Sequence, residues 1–323
     1  MFKIKIDPYS IAGWVSLLIY PSLSLVEYLS ERKRELDEWF ARKTRESPDG
    51  YLLSETIKGG KRLRPLLLML VFDALGGRDR ESALDVAYAL ELAHNASLVH
   101  DDIIDWDYYR RGKPALWRQV GIGRAVIQGH RIINTAFRTV LEKGVEITRL
   151  FLDAWENASF GVLEEVFSST PPAKMLYLKI IQEKTASLFA AGAESAAVLA
   201  GCSDRNRQLA KKYGLLVGTV YQLADDYVEL RRNRGLVRVV LRLRNIDELI
   251  RKGYIALRSG RLLRFLEIIQ QSSKFYSYIT ELVKECYEEI DKVVDSMEVK
   301  EEFRPLLRDF PRFCVEQMLK ELK

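Results

Sequence analysis

Apolar residues recur at spacings of three and four along most of the chain, the signature of amphipathic helices. Between Ser30 and Thr44, Leu36, Trp39 and Phe40 share one face among charged neighbours. The same periodicity predicts helices over Ser82–Asp107, Lys174–Ala200, Arg205–Leu230 and Ser272–Ser296. Breakers fall between these runs: Gly59-Gly60, Gly76-Gly77, Gly112 to Pro114, Pro171-Pro172, and Gly201 with Ser203. Only Val237 to Arg244 alternates like a strand, and so short a segment cannot make a sheet alone. No Pro/Ser-rich linker, internal repeat or low-complexity tract divides the chain. The expected fold is therefore all-α, one large domain over residues 1–323. Dividing 323 residues by roughly 150 per domain would have suggested two.

Composition narrows the class. With 48% hydrophobic and 29% charged residues, the chain is globular and not disordered. Its three cysteines, Cys202, Cys286 and Cys314, form no CxxC pair, which excludes zinc ribbons and thioredoxin-like redox motifs. They read as reduced thiols of a cytoplasmic protein. The net charge of +5 is too small to argue for nucleic acid as a partner. The basic excess is local: Arg231 to Arg264 is rich in arginine, against only Asp247 and Glu248. A solvated helix face explains that run most simply; an anionic ligand or peripheral contact with a membrane surface is the alternative. Pro8 to Val26 lacks charge and superficially resembles a targeting segment, but Asp7, Pro21 and several serines count against it. We expect residues 1–30 to form an extension docked on the body or on a second subunit.

Candidate chemistry starts in Glu91 to Gly112, ELAHNASLVHDDIIDWDYYRRG. On a helix, Asp101 and Asp105 project from one face, with Asp102 adjacent. Like charges at that spacing repel by a few tenths of a kcal/mol, so the helix does not hold them for its own stability. Magnesium reverses the sign, because it takes hard oxygen ligands from one or two carboxylates plus phosphate oxygens. His94 lies two turns earlier on the same stripe, and Leu98, Val99, Ile103 and Ile104 place the helix in the core. A second cluster, YQLADDYVEL, repeats the geometry with Asp225, Asp226 and Glu229. Two such helices facing one another would make a carboxylate cage for several divalent ions. Bases accompany them: Lys61, Arg62 and Arg64 in GGKRLRP, Arg110-Arg111, and Lys184 beside Thr185. Acids that bind metal beside bases that bind phosphate describe a diphosphate site.

GGKRLRP, LVHDDIIDWDYYRRG, EKTASL and YQLADDYVE, in that order from about Ile57 to Glu229, resemble the trans-isoprenyl diphosphate synthase (polyprenyl synthetase) family. The resemblance implies an isoprenoid-synthase-type helical bundle around a deep central cavity, usually a homodimer. It also implies magnesium-dependent, head-to-tail coupling of an allylic diphosphate to isopentenyl diphosphate, with release of diphosphate. By the same resemblance, Asp101, Asp102 and Asp105 hold magnesium (Mg2+) on the allylic diphosphate, joined by Asp225, Asp226 and Glu229. Arg110 and Lys184 bind that diphosphate, while Lys61, Arg64, His94 and Arg111 grip the diphosphate of isopentenyl diphosphate. Thr185 and Gln222 flank the developing carbocation. The growing tail runs down the helix that carries the first aspartates, so Ala93, Ala96 and Ser97 form its floor. Their small size leaves room for a product of about twenty to thirty carbons, provided that neither Phe137 nor Phe189 reaches across.

Four positions depart from the family pattern. The second motif ends in Glu229 where Asp is usual. The Gly-Lys pair that normally follows is replaced by RRNRGLVRVVLRLR, with Arg238 the nearest substitute. The family's Gly-Asp is Gly129-His130, and its Gly-Gln-x-x-Asp is Gly161 to Glu165. An active synthase with a modified lid is the main reading. A weakly active or inactive paralogue, binding prenyl diphosphates or supporting a hetero-oligomeric synthase, stays open. So does a related cyclisation, although the intact isopentenyl diphosphate residues argue against it.

Overall fold

In the computed structural model the described residues are 22–167, 174–232 and 272–320. The strand-like Val237–Arg244, Arg238 and nearly all of the basic run to Arg264 lie outside them, as do residues 1–21. Helix α1 (Leu23–Glu46) starts the described chain and buries Leu25, Leu29, Leu36 and Phe40. It docks on the body: the Ser22 N–H donates to Asp309 at 3.2 Å, and the Tyr28 hydroxyl donates to Asp73 at 2.7 Å. These two bonds join the start of α1 to the helices that carry Asp309 and Asp73; the rest of the expected N-terminal extension lies outside the described residues.

A short α2 (Gly50–Ile57) leads to α3 (Leu63–Ala74), LRPLLLMLVFDA, which is buried on every side. A helix without a polar face has no periodicity to read, which is why the sequence pattern did not mark it. Helix α4 (Arg80–Ile104) is capped by Asp79, whose side chain accepts from the Ser82 N–H at 3.1 Å. It ends three residues before the expected Asp107, because Trp106 adopts φ +54°. A hairpin follows, β1 (Tyr109–Arg110) against β2 (Lys113–Pro114). Its central residues, Arg111 at φ +52° and Gly112 at φ +76°, form the turn whose twist matches two antiparallel strands.

Helices α5 (Leu116–Val120), α6 (Ile122–Leu141) and α7 (Val145–Phe167) come next. The segment expected as one helix from Lys174 is three pieces: α8 (Lys174–Ile181), a π-helical turn over Gln182–Ala186, and α9 (Ser187–Leu199). Helices α10 (Asp204–Arg232) and α11 (Ser272–Ser296) agree with the periodicity. In α12 (Arg304–Leu319), Pro311 has no N–H for the Leu307 carbonyl; the Tyr213 hydroxyl satisfies that carbonyl at 2.7 Å. One apolar cluster runs from Leu25 to Met318.

Helix α9 packs on both α4 and α10, and α3 packs on α4 and α9. Small residues set the spacing: a Cβ added to Gly218 of α10 would lie 2.6 Å from the Ala186 Cα. The helices bearing the two acidic clusters are thereby placed around a shared frame of α3 and α9. No described helix is long and apolar enough to cross a membrane.

Candidate active site

The basic pocket is built by the loop between α2 and α3, the hairpin turn and the middle of α4. Arg64, in the first turn of α3, is 8% exposed, with its Cζ 4.5 Å from the Phe189 ring centroid and 5.8 Å from that of Tyr221. Its Nε is buried with no hydrogen-bond partner among the described residues. Burial pushes its pKa down, opposed by Tyr221, Glu91 and Asp225. Lys61 donates to the Gln317 carbonyl at 3.1 Å, in the last turn of α12. Arg111 donates to the carbonyls of Lys58 at 3.0 Å and Thr56 at 3.3 Å.

His94 feels all of this positive charge. Burial, then Arg64, Arg111, Arg110 and Arg62, hold its pKa well below 6.5, so it is neutral near pH 7. Such a concentration of guanidinium groups fits a polyanion. Arg62 plays a different part from its neighbours. Its side chain is held by Asp37 at 2.9 Å and Glu91 at 2.7 Å, which leaves it inside the protein.

On α4 the three aspartates separate. Asp102 is 3% exposed and takes two hydrogen bonds from Arg110, the Nε one at 2.8 Å. Burial works against charge on Arg110, but the bonds from Asp102 outweigh it and raise the Arg110 pKa. Asp102 thus does not share the face of Asp101 and Asp105: one residue along a helix turns the side chain by about 100°. It anchors Arg110. Asp101 is half-buried and makes no side-chain hydrogen bond or ion pair among the described residues. Asp105, 9% exposed, sits just past the helix end, its N–H bonded to the Asp101 carbonyl at 2.8 Å.

Across the frame, Lys184 and Thr185 lie in the π-helical turn, a distortion often found at functional sites. Gly161 of α7 makes room for it, since a Cβ there would sit 2.6 Å from the Lys184 backbone nitrogen. Lys184 is ion-paired with Glu165. Thr185 donates to the Gln222 Oε1 at 2.7 Å, and Gln222 donates in turn to Asp226 at 2.9 Å and Asp225 at 3.2 Å. Tyr177 donates its hydroxyl to Asp226 at 2.5 Å. Burial, followed by Asp226, raises the Tyr177 pKa well above 10 and keeps the phenolic proton in place. Glu229 lies on α10, but its side chain is outside the described set. Among the described residues, no three His, Cys, Asp or Glu groups come close enough to hold a metal ion.

The sequence reading missed Tyr177 and Glu165 as partners. Tyr177 stood two turns before Lys184, on the same stripe, which is the signal that pointed to it. At the expected floor, Ala93 is 2% exposed and Ala96 0%, while Ser97 is half-buried and donates to the His94 carbonyl at 2.8 Å. Phe189 is turned toward Tyr221, 5.6 Å between ring centroids. Phe137 stands edge-on to Trp155 at 6.5 Å, and Trp155 edge-on to His100 at 6.2 Å.

Comparison with known proteins identifies the family. The geranylgeranyl diphosphate synthase of Methanosarcina mazei is 34% identical over 186 residues, covering 53% of this chain and 55% of the relative. The chain thus spans about half the length of that relative. The hexaprenyl pyrophosphate synthase of Saccharolobus solfataricus is 26% identical over 306 residues, covering 93% of this chain and 98% of the relative. The solved geranylgeranyl pyrophosphate synthetase of Geoglobus acetivorans shares the fold with a TM-score of 0.72 at 22% identity, covering 89% of this chain and 99% of that one. The family model for polyprenyl synthetase matches residues 51–235, a span that contains the basic pocket, both acidic clusters and the π-helical turn. This chain belongs to the polyprenyl synthetase family.

Proposed function

We propose that this chain is a prenyltransferase that condenses an allylic diphosphate with isopentenyl diphosphate, head to tail, and releases diphosphate. The observation that carries the reading is the cluster of Lys61, Arg64 and Arg111 around neutral His94, which stands on the same helix as Asp101. The basic pocket would take the diphosphate of isopentenyl diphosphate. Arg110 and Lys184 would hold the allylic diphosphate, each released from its own carboxylate, Asp102 or Glu165.

The residues present suit magnesium: Asp101 has a half-buried carboxylate without an ion pair among the described residues, and Asp105, Asp225, Asp226 and Glu229 add hard oxygen donors. Magnesium held there with diphosphate oxygens would neutralise the charge that develops as the allylic C–O bond breaks. Thr185 and Gln222 already share a hydrogen bond, which fixes the direction of their dipoles beside the reacting carbon. An apolar lining would exclude water from the cation.

Ser97, with Ala93 and Ala96 behind it, supports a product of about twenty to thirty carbons. The outward faces of α6 and α7 leave Ile127 at 60%, Phe160 at 53% and Leu163 at 53% exposure, which supports a homodimer through these helices. The three free thiols suit a reducing cytoplasm. The test is turnover of purified protein with magnesium, isopentenyl diphosphate and allylic diphosphates of five, ten and fifteen carbons. Condensation products resolved by chromatography support the reading, and binding without product would turn it to the paralogue.

A further inference from the structure

Glu91 is a carboxylate set among the cations of the basic pocket, and it is 2% exposed. It accepts from Arg62 Nη1 at 2.7 Å and from Asn95 Nδ2 at 3.2 Å. Arg62 in turn donates to the Ile57 carbonyl at 2.5 Å and to Asp37 at 2.9 Å, so one side chain ties together α1, α2 and α4. It does so from φ +59°, a conformation that a residue with a Cβ adopts rarely and keeps only when its surroundings fix it. The loop passes directly over this pair. A Cβ on Gly60 would lie 2.6 Å from Arg62 Nη1, 2.7 Å from Glu91 Oε1 and 3.4 Å from Arg111 Nη2. Lys61 and Arg64 leave the backbone on either side of Arg62, and Arg111 closes on the same loop through the carbonyls of Thr56 and Lys58.

We propose that Glu91 and Arg62 are positioning residues for the isopentenyl diphosphate pocket: their buried ion pair fixes the loop conformation that aims Lys61, Arg64 and Arg111 at one anion. The inference rests on the function proposed above and assigns to Arg62 a task distinct from those of its basic neighbours. An alternative role for Glu91, as a counter-charge that merely dilutes the positive field, has the opposite consequence. Removing a counter-charge would tighten anion binding, whereas removing a positioning group weakens it.

Calorimetry of the full chain with isopentenyl diphosphate, and separately with inorganic diphosphate, reads the difference without requiring turnover. Glu91→Gln keeps the shape and removes the charge; it should weaken isopentenyl diphosphate binding by at least tenfold. Binding of a non-hydrolysable allylic thiolodiphosphate should stay within twofold. Arg62→Lys, which cannot reproduce the three-way fork, should match that loss from the loop side. It also serves as the second variant should Glu91→Gln not fold. The double variant should be no worse than the poorer single one, since both remove the same pair. Equal or tighter isopentenyl diphosphate binding by Glu91→Gln overturns the inference, as does an equal loss for both ligands. If the wild-type chain binds inorganic diphosphate but not isopentenyl diphosphate, the proposed function falls, and the loop argument is then read from inorganic diphosphate alone. A wild-type chain that binds neither overturns both.

Discussion

Replacing Gly161 by Ala tests the link between backbone packing and catalysis most directly. The new Cβ would lie 2.6 Å from the Lys184 nitrogen and 3.0 Å from its Cα and Cβ. Ordinary contact begins near 3.4 Å, so α7 and the π-helical turn must part by a little under 1 Å. The obstacle is mainly backbone and cannot rotate away. Overpacking of this kind costs about 1–3 kcal/mol, while the better helix propensity of Ala returns at most about 1 kcal/mol. Net destabilisation should be roughly 1–2 kcal/mol, a drop of a few degrees in Tm. The effect on turnover should be larger in proportion. A shift of that size moves Lys184 and Thr185 away from the second acidic cluster, and misplacement by about 1 Å can cost up to a hundredfold in rate. Steady-state kinetics with an allylic diphosphate, beside a thermal melt, supplies both numbers. Gly123→Ala is the control: nothing lies within 4 Å of its added Cβ, so activity should hold and stability should rise by up to about 1 kcal/mol. Wild-type kcat in Gly161→Ala, with Tm unchanged or raised, would refute the argument that the π-helical turn depends on this glycine.

The neighbouring aspartates of α4 should behave differently. Asp101→Ala should nearly abolish diphosphate release with an unchanged melt, because its carboxylate makes no hydrogen bond or ion pair among the described residues, whereas Asp102→Ala should lose about 1.5–3 kcal/mol of stability by freeing Arg110; normal turnover by Asp101→Ala at limiting magnesium would remove it from the site. Ala96→Phe should shorten the product, and Ser97→Phe at least as much, since Ser97 alone of the three floor residues has open surface; product chromatography showing no change from either would place the floor elsewhere. The third concerns pH. His94 has a folded pKa held below its unfolded value near 6.5, so the unfolded chain binds more protons below that pH. Stability should therefore fall as pH drops below about 6.5, by no more than about 1.4 kcal/mol per pH unit from this group. His100 is shifted in the same direction, so the difference between wild type and His94→Gln isolates the His94 share in melts taken from pH 7 to pH 5.

What the sequence determined was the class of fold and the family. Periodicity of three and four gave α10 and α11 almost to the residue, because each has one apolar and one polar face. It gave nothing for α3, whose residues are buried all round and carry no period to detect. The charged motifs could be singled out in the sequence because binding an anion or a metal calls for those residue types whatever the packing. Their division of labour was settled only in three dimensions. Asp101 and Asp102 are adjacent in the chain, yet one is half-buried without a hydrogen bond among the described residues and the other is buried against Arg110. Lys61, Arg62 and Arg64 read alike, yet Arg62 is turned inward by a left-handed backbone and held by Glu91. Tyr177, Glu165 and the π-helical turn depend on helix-to-helix contacts that span 15 residues or more of chain. Local pattern records which face of a helix is apolar. Which polar group on that helix meets which other depends on the rotation and spacing of its neighbours, and those are fixed by contacts such as Gly161 against Lys184 and Gly218 against Ala186.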